Sequence, residues 1–193
     1  RPLRILTPEQ QRGLFCEIKY LQKLLTGILG EKPAVESWVG PDRKQQDFLY
    51  YDRAIEIKSL FGNTRNTVQI SSEDQLETSR PHLFLCVYHL VEQPSSDQAV
   101  SLNGLIREVF DSFTDSEVVE LFSEKLVAAG YIDIREYDTP AYRVSKIASY
   151  YIKDDFPCII RSSLPSAILK VSYDLKLPEI SKYECELDKV WGP

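Results

Sequence analysis

The residues Gln46-Asp47-Phe48-Leu49-Tyr50-Tyr51-Asp52-Arg53-Ala54-Ile55-Glu56-Ile57-Lys58-Ser59 fall into two alternating arms that meet at Asp52-Arg53. Phe48 and Tyr50 share one side of the first arm, Ile55 and Ile57 one side of the second, and this period of two predicts a pair of half-buried strands. A loop of Asp52 and Arg53 has the commonest hairpin length. It would set Tyr51 opposite Ala54, Leu49 opposite Glu56 and Asp47 opposite Lys58. Side chains alternate across a strand, so Asp47, Glu56 and Lys58 emerge on one face while Phe48, Tyr50, Ile55 and Ile57 fill the other. Facing Cβ atoms lie roughly 5 Å apart and diagonal neighbours about 7–8 Å. Two carboxylates and an ammonium are thereby gathered around room for one small cation.

The remaining composition bounds what such a site could serve. With 193 residues, 43% hydrophobic and 27% charged, the chain is expected to form one soluble globular domain, or one domain with a small appendage. No apolar run approaches the ~18–20 residues of a membrane span, and no signal peptide is recognisable. The four cysteines, Cys16, Cys86, Cys158 and Cys185, are scattered without a Cys-x-x-Cys pair, which argues against zinc and for free thiols in a cytoplasmic setting. A start at Arg1 and the lack of any methionine suggest a piece of a longer protein. The net charge of −6 supplies no global basic field for nucleic acid. A local positive cluster is nonetheless available in Arg43, Lys44, Lys58 and Arg65.

Along the chain, Thr7-Pro8-Glu9-Gln10 offers an N-cap, a proline at the first helical position and a reciprocal glutamine. Leu14, Ile18, Leu21, Leu25, Ile28 and Leu29 then carry an amphipathic helix to Gly30. At about 100° per residue, Glu17 falls inside the apolar arc, where a carboxylate needs a partner or a route to water. Residues 33–39 read as a short strand, 40–42 as a turn, 62–66 as a loop and 67–70 as a strand. A helix is expected from Ser71-Ser72-Glu73-Asp74-Gln75, capped by Ser72 and Gln75, to Pro81. Residues 82–91 form a long apolar run of the kind buried in mid-sheet. Beyond it, 102–113 and 116–129 read as helices, the second closed by Gly130. Residues 142–153, 158–162 and 167–175 are strand-like, and an irregular tail contains Trp191.

Asp47, eight intervening residues and Glu56-Ile57-Lys58 match the nuclease signature PD-(D/E)XK. Phosphodiester hydrolysis builds negative charge that a hard dication can bear, and Mg²⁺ is held by a few carboxylates plus waters. Asp47 and Glu56 would supply those carboxylates and the Ile57 carbonyl would complete the coordination. Lys58 would position the attacking water and favour its hydroxide form. Asp42 is the rival aspartate because Pro41-Asp42 spells the signature literally. It precedes the strand, however, and parity would turn it to the face opposite Glu56.

The strings GLFCEIKYLQKLL, WVGPDRKQQDF, AIEIKS, VQISSEDQL, LVAAGY, IKDDFPCI and LPSAILKVSYDL occur in order over most of the chain. Through them the sequence resembles the bacterial PD-(D/E)XK motif proteins of the restriction-endonuclease-like superfamily. The resemblance implies an α/β fold, a central mixed sheet flanked by helices in 1–95, with an α+β C-terminal region in 96–193 packed on it. It implies Asp47, Glu56, Lys58 and Gln75 as catalytic residues, with Gln75 near the scissile phosphate. Glu17 becomes a further metal or water ligand beside Asp47, Glu56 and Ile57. The implied cofactor is Mg²⁺, with Mn²⁺ as a substitute, and the implied partner is DNA, cut in restriction or anti-phage defence. A homodimer or partner subunits of a defence system would fit double-strand cutting.

Other elements carry less. His82 and His89, seven apart on one strand, point to opposite faces and read as structural. Ser71-Ser72 has no nearby histidine, and no glycine-rich phosphate loop exists. The acidic helix at 116–129 is a poor DNA reader. A competing expectation is a non-catalytic interaction or DNA-binding subunit that keeps the nuclease fold.

Overall fold

Thr7 opens the first helix, α1 (Pro8–Gly27), with the expected reciprocal cap: its hydroxyl accepts from the Gln10 N–H at 3.2 Å while its own N–H donates to the Gln10 side chain at 3.0 Å. The computed structural model describes residues 4–63 and 65–192. Residues 1–3, 64 and 193 lie outside it, including part of the loop expected at 62–66 and the extreme ends of the two expected regions.

The strand expected at 33–39 is instead a short helix, α2 (Glu31–Ser37). Gly30, at φ 80°, turns the chain, and Pro33 sits in the first helical turn, where its missing N–H costs nothing. An isolated bridge between Trp38 and Phe48 is the only extended pairing left there. A 3₁₀ turn follows at Gly40–Asp42, as expected.

The hairpin forms from β1 (Phe48–Tyr50) and β2 (Arg53–Phe61), with its loop one residue earlier than anticipated. Phe48 pairs with Ile55, Leu49 with Ala54 and Tyr50 with Arg53, so the loop is Tyr51-Asp52. Tyr51 adopts the left-handed φ of 48°. Arg53 is drawn into the strand because its buried guanidinium donates to the carbonyls of Lys189 and Val190 at 2.9 and 3.0 Å. Partners therefore slide by two residues, which preserves the face of every side chain.

The further elements are β3 (Thr67–Ile70), β4 (His82–Glu92), α3 (Leu102–Ser112), α4 (Ser116–Ala128), β5 (Tyr142–Tyr151), β6 (Tyr173–Lys176), β7 (Glu184–Cys185) and α5 (Leu187–Trp191). The main sheet runs β1-β2-β4-β5-β7, with β2 and β4 parallel and the other pairs antiparallel, while β3 and β6 form a separate ribbon. This mixed sheet flanked by helices is the expected α/β, restriction-endonuclease-like arrangement. Residues 96–193 contribute β5 and β7 to the same sheet as β1, β2 and β4.

Three further local expectations fail. Residues 71–80 form turns rather than a helix, because the Gln75 side chain is used elsewhere than in a cap. Residues 158–162 are irregular before a 3₁₀ turn at Arg161–Ser163, and only the end of 167–175 becomes strand, as β6. The Arg161 side chain accounts for both: it ion-pairs with the buried Glu73 and donates to the carbonyls of Ile168 and Leu169. Those groups are satisfied without a ladder.

The sheet is buried on both faces. Ile55, Ile57, Phe84, Cys86 and Tyr88 pack under α1, α2 and α3, and Leu60, Leu85, Val87, Ala148 and Tyr150 pack under the β3–β6 ribbon. Fully buried Phe15, Ile18, Leu21 and Leu24 of α1 stabilise the first core by roughly 1.5–3 kcal/mol each. Among the described residues no helix is long and apolar enough to cross a membrane.

Candidate active site

The residue before β1 is the pivot. Asp47 donates its N–H to the Ile55 carbonyl at 3.0 Å, and its own carbonyl accepts from the N–H groups of Val39 and Gly40 at 2.9 and 3.0 Å. With its backbone held on both sides, the side chain reaches across to β2, where Oδ2 accepts from the Ile57 N–H at 2.8 Å. Glu56 and Lys58 emerge from β2 on the same face, with Nζ 3.3 Å from Glu56 Oε1. Lys58 Nζ also donates to Gln75 Oε1 at 3.0 Å, and that oxygen accepts from the Ser71 N–H at 2.8 Å.

From the helical side, Glu17 of α1 approaches the same place. Its Oε2 accepts from the indole Nε1 of buried Trp38 at 2.7 Å. A Cβ built on Gly40 would lie 2.9 Å from Asp47 Oδ1 and 3.3 Å from Glu17 Oε2, so the missing side chain at Gly40 is what leaves room for the two carboxylates to converge. Glu17, Asp47, Glu56, Ile57, Lys58 and Gln75 together line one open cleft of about 220 Å³. Arg43 lines a neighbouring hollow shared with Glu17 and Asp47, and Arg65 lines another shared with Ser59 and Gln69, while Lys44 is simply exposed. Asp42 is turned away to Lys125, 3.2 Å distant, in a hollow with Glu36 and Glu124. His82 bonds the Tyr151 hydroxyl at 2.7 Å, and neither histidine lines the cleft.

Gln46 is a contributor that sequence reasoning missed. Its buried Nε2 lies 3.1, 3.0 and 2.8 Å from the carbonyls of Asp74, Gln75 and Glu77, tying the turn that bears Gln75 to the start of the hairpin. Nothing in Gln45-Gln46-Asp47 distinguishes it from a solvated glutamine, because its partners lie 28–31 residues away. Trp38 likewise carries no sequence signal of its bond to Glu17, 21 residues away.

Burial and mutual repulsion set the electrostatics. Desolvation, with the charge of Asp47 next, pushes the Glu17 carboxyl well above the usual range; the Trp38 bond and Lys58 act the other way. Glu56 is raised for the same two reasons, partly offset by Lys58. Desolvation lifts Asp47 to about 6 against the Ile57 N–H and Lys58. Three carboxylates face one ammonium, which leaves two negative charges when all are ionised.

That donor set suits a hard dication. The donors are all oxygen, the excess charge matches, and no protein donor among the described residues reaches Asp47 Oδ1 or Glu17 Oε1. Among the described residues no three His, Cys, Asp or Glu side chains form a ready-made cage. Water and substrate oxygens would therefore complete the coordination, as Mg²⁺ ordinarily requires.

A family model described as "Putative PD-(D/E)XK family member, (DUF4420)" matches residues 2–178. No curated protein and no solved structure matches the chain.

Proposed function

The chain belongs to this PD-(D/E)XK family, and from that premise we propose that it is a Mg²⁺-dependent DNA endonuclease, with Mn²⁺ able to substitute. In this reading Asp47, Glu56 and the Ile57 carbonyl hold the cation, and Glu17 adds a further oxygen. Lys58, its ammonium held between the Glu56 carboxylate and the Gln75 amide oxygen, orients the attacking water. Gln75 acts near the scissile phosphate and keeps the Lys58 ammonium aimed into the cleft. A bound dication would polarise a phosphoryl oxygen and acidify a nearby water. The chain's own residues then do the positioning: Ile57 N–H fixes Asp47, and Trp38 fixes Glu17. A role in restriction or anti-phage defence follows from the resemblance.

The single observation that carries the proposal is the convergence of Glu17, Asp47, Glu56, Lys58 and Gln75 on one cleft. The test is cleavage of supercoiled plasmid with Mg²⁺. Wild type should nick or linearise it, EDTA should stop the reaction, and Asp47→Ala or Lys58→Ala should slow it about 100-fold or more while remaining folded. Equal cleavage by wild type and both variants would sink the assignment. Metal binding without any cleavage would point to the non-catalytic subunit instead.

A further inference from the structure

Trp38 stands outside the PD-(D/E)XK signature, yet among the described residues it is the one side chain that bonds Glu17. We propose that Trp38 is a positioning residue for the metal site, its indole N–H holding Glu17 so that the second carboxylate oxygen faces the cation. The proposal rests on the reading of the cleft as a metal-dependent nuclease site.

The geometry is specific. The ring is fully buried and backed by Phe122, with centroids 6.0 Å apart. The carbonyl of Trp38 accepts from Nζ of Lys125, a lysine buried on α4 that also reaches Asp42. The next two residues, Val39 and Gly40, donate their N–H groups to the Asp47 carbonyl. Residues 38–40 thus grip Asp47 through its main chain and Glu17 through its side chain, and α4 fastens the clamp. An indole nitrogen only donates, so it favours the ionised carboxylate that a metal needs. The bond is 2.7 Å long, and it is charge-assisted once the carboxylate is ionised. Glu17 sits at the edge of the α1 core, and without this donor its flexible side chain is free to leave for water.

The test is calorimetric titration of Mn²⁺ into the metal-free full chain. Trp38→Phe removes the N–H and keeps an aromatic ring; it should weaken Mn²⁺ binding about 10-fold or more, as loss of a ligand-orienting bond does. In a Glu17→Gln background the same substitution should change affinity less than about 2-fold, because Trp38 acts through Glu17. Unchanged affinity in Trp38→Phe overturns the proposal, as does an equal loss in both backgrounds, which would mark a purely structural effect. Should Trp38→Phe fail to fold, benzothienylalanine at position 38 keeps the bicyclic shape without the N–H, with the same outcomes expected. Failure of wild type to bind Mn²⁺ removes the nuclease reading and this proposal together; tight wild-type binding that Trp38→Phe leaves intact removes this proposal alone.

Discussion

An added methyl at Gly40 would press on the oxygens of Asp47 and Glu17 at 2.9 and 3.3 Å, and both are side-chain ends that can give way by a few tenths of an ångström without moving the backbone. Gly40 is not among the residues with positive φ, so alanine is compatible with its backbone. Gly40→Ala therefore separates siting from folding. It should lower Mn²⁺ affinity by about 10-fold while shifting the melting temperature by no more than a few degrees. Calorimetry and a thermal melt on the same sample decide it, and unchanged affinity would mean that the carboxylates do not need the space. Asp47→Asn probes the neighbouring position. Asparagine can still accept the Ile57 N–H bond, now 2.8 Å, but brings no charge. Metal-induced stabilisation should vanish, read as the loss of any Mg²⁺-dependent rise in melting temperature.

At the scale of elements, the turn over residues 71–77 carries Gln75 and depends on one buried amide. Gln46→Met keeps the volume but leaves the carbonyls of Asp74, Gln75 and Glu77 without their shared donor. The Asp74 carbonyl keeps the Glu77 N–H, while leaving the part-buried carbonyls of Gln75 and Glu77 without a donor costs up to about 1–3 kcal/mol each, less what water recovers. A drop of about 4–8 °C in melting temperature corresponds to roughly 2 kcal/mol for a chain of this size. The Ser71 amide, now bonded to Gln75 Oε1, should exchange its hydrogen faster, and unaltered exchange there would show that Gln46 does not hold the turn. The same dependence explains why a helix was expected at Ser71-Gln75. Serine and glutamine spaced as a capping box are indistinguishable in sequence from a glutamine committed to a lysine on another strand. The hairpin shows the converse. Its frame moved because Arg53 found carbonyl partners at Lys189 and Val190, but the slide by two left Asp47, Glu56 and Lys58 on one face.

At the scale of the whole molecule, the clustered carboxylates are a stability cost that a bound dication would offset. Asp47 lies at about 6, above its usual value, so the folded chain binds a proton that the unfolded chain has already released. Stability from this group is greatest at low pH and falls as pH rises from about 4 to above 6. Glu17 and Glu56, raised likewise, act in the same direction. His89, held below its usual range by burial and Lys146, opposes them as pH rises towards 6.5. Comparing Asp47→Asn with wild type cancels the histidine. In EDTA the variant should melt a few degrees higher at pH 8, and the gap should close towards pH 5. A gap independent of pH would contradict the burial of an ionisable Asp47.

What the sequence by itself determined is local and periodic: the cap of α1 at Thr7, the apolar run of β4, and the parity that puts Asp47, Glu56 and Lys58 on one face. These depend on neighbours a few residues apart, where backbone geometry leaves few choices. Tertiary structure alone decided what the charged and polar side chains do. Glu17 meets Trp38 21 residues away, Lys125 reaches 83 residues back to Asp42, and Gln46 holds a turn 28–31 residues on. Each is a buried or part-buried polar group satisfied across distant segments, and only the packing of α1 and α2 on the sheet that contains the hairpin, with α4 on α2, sets those distances.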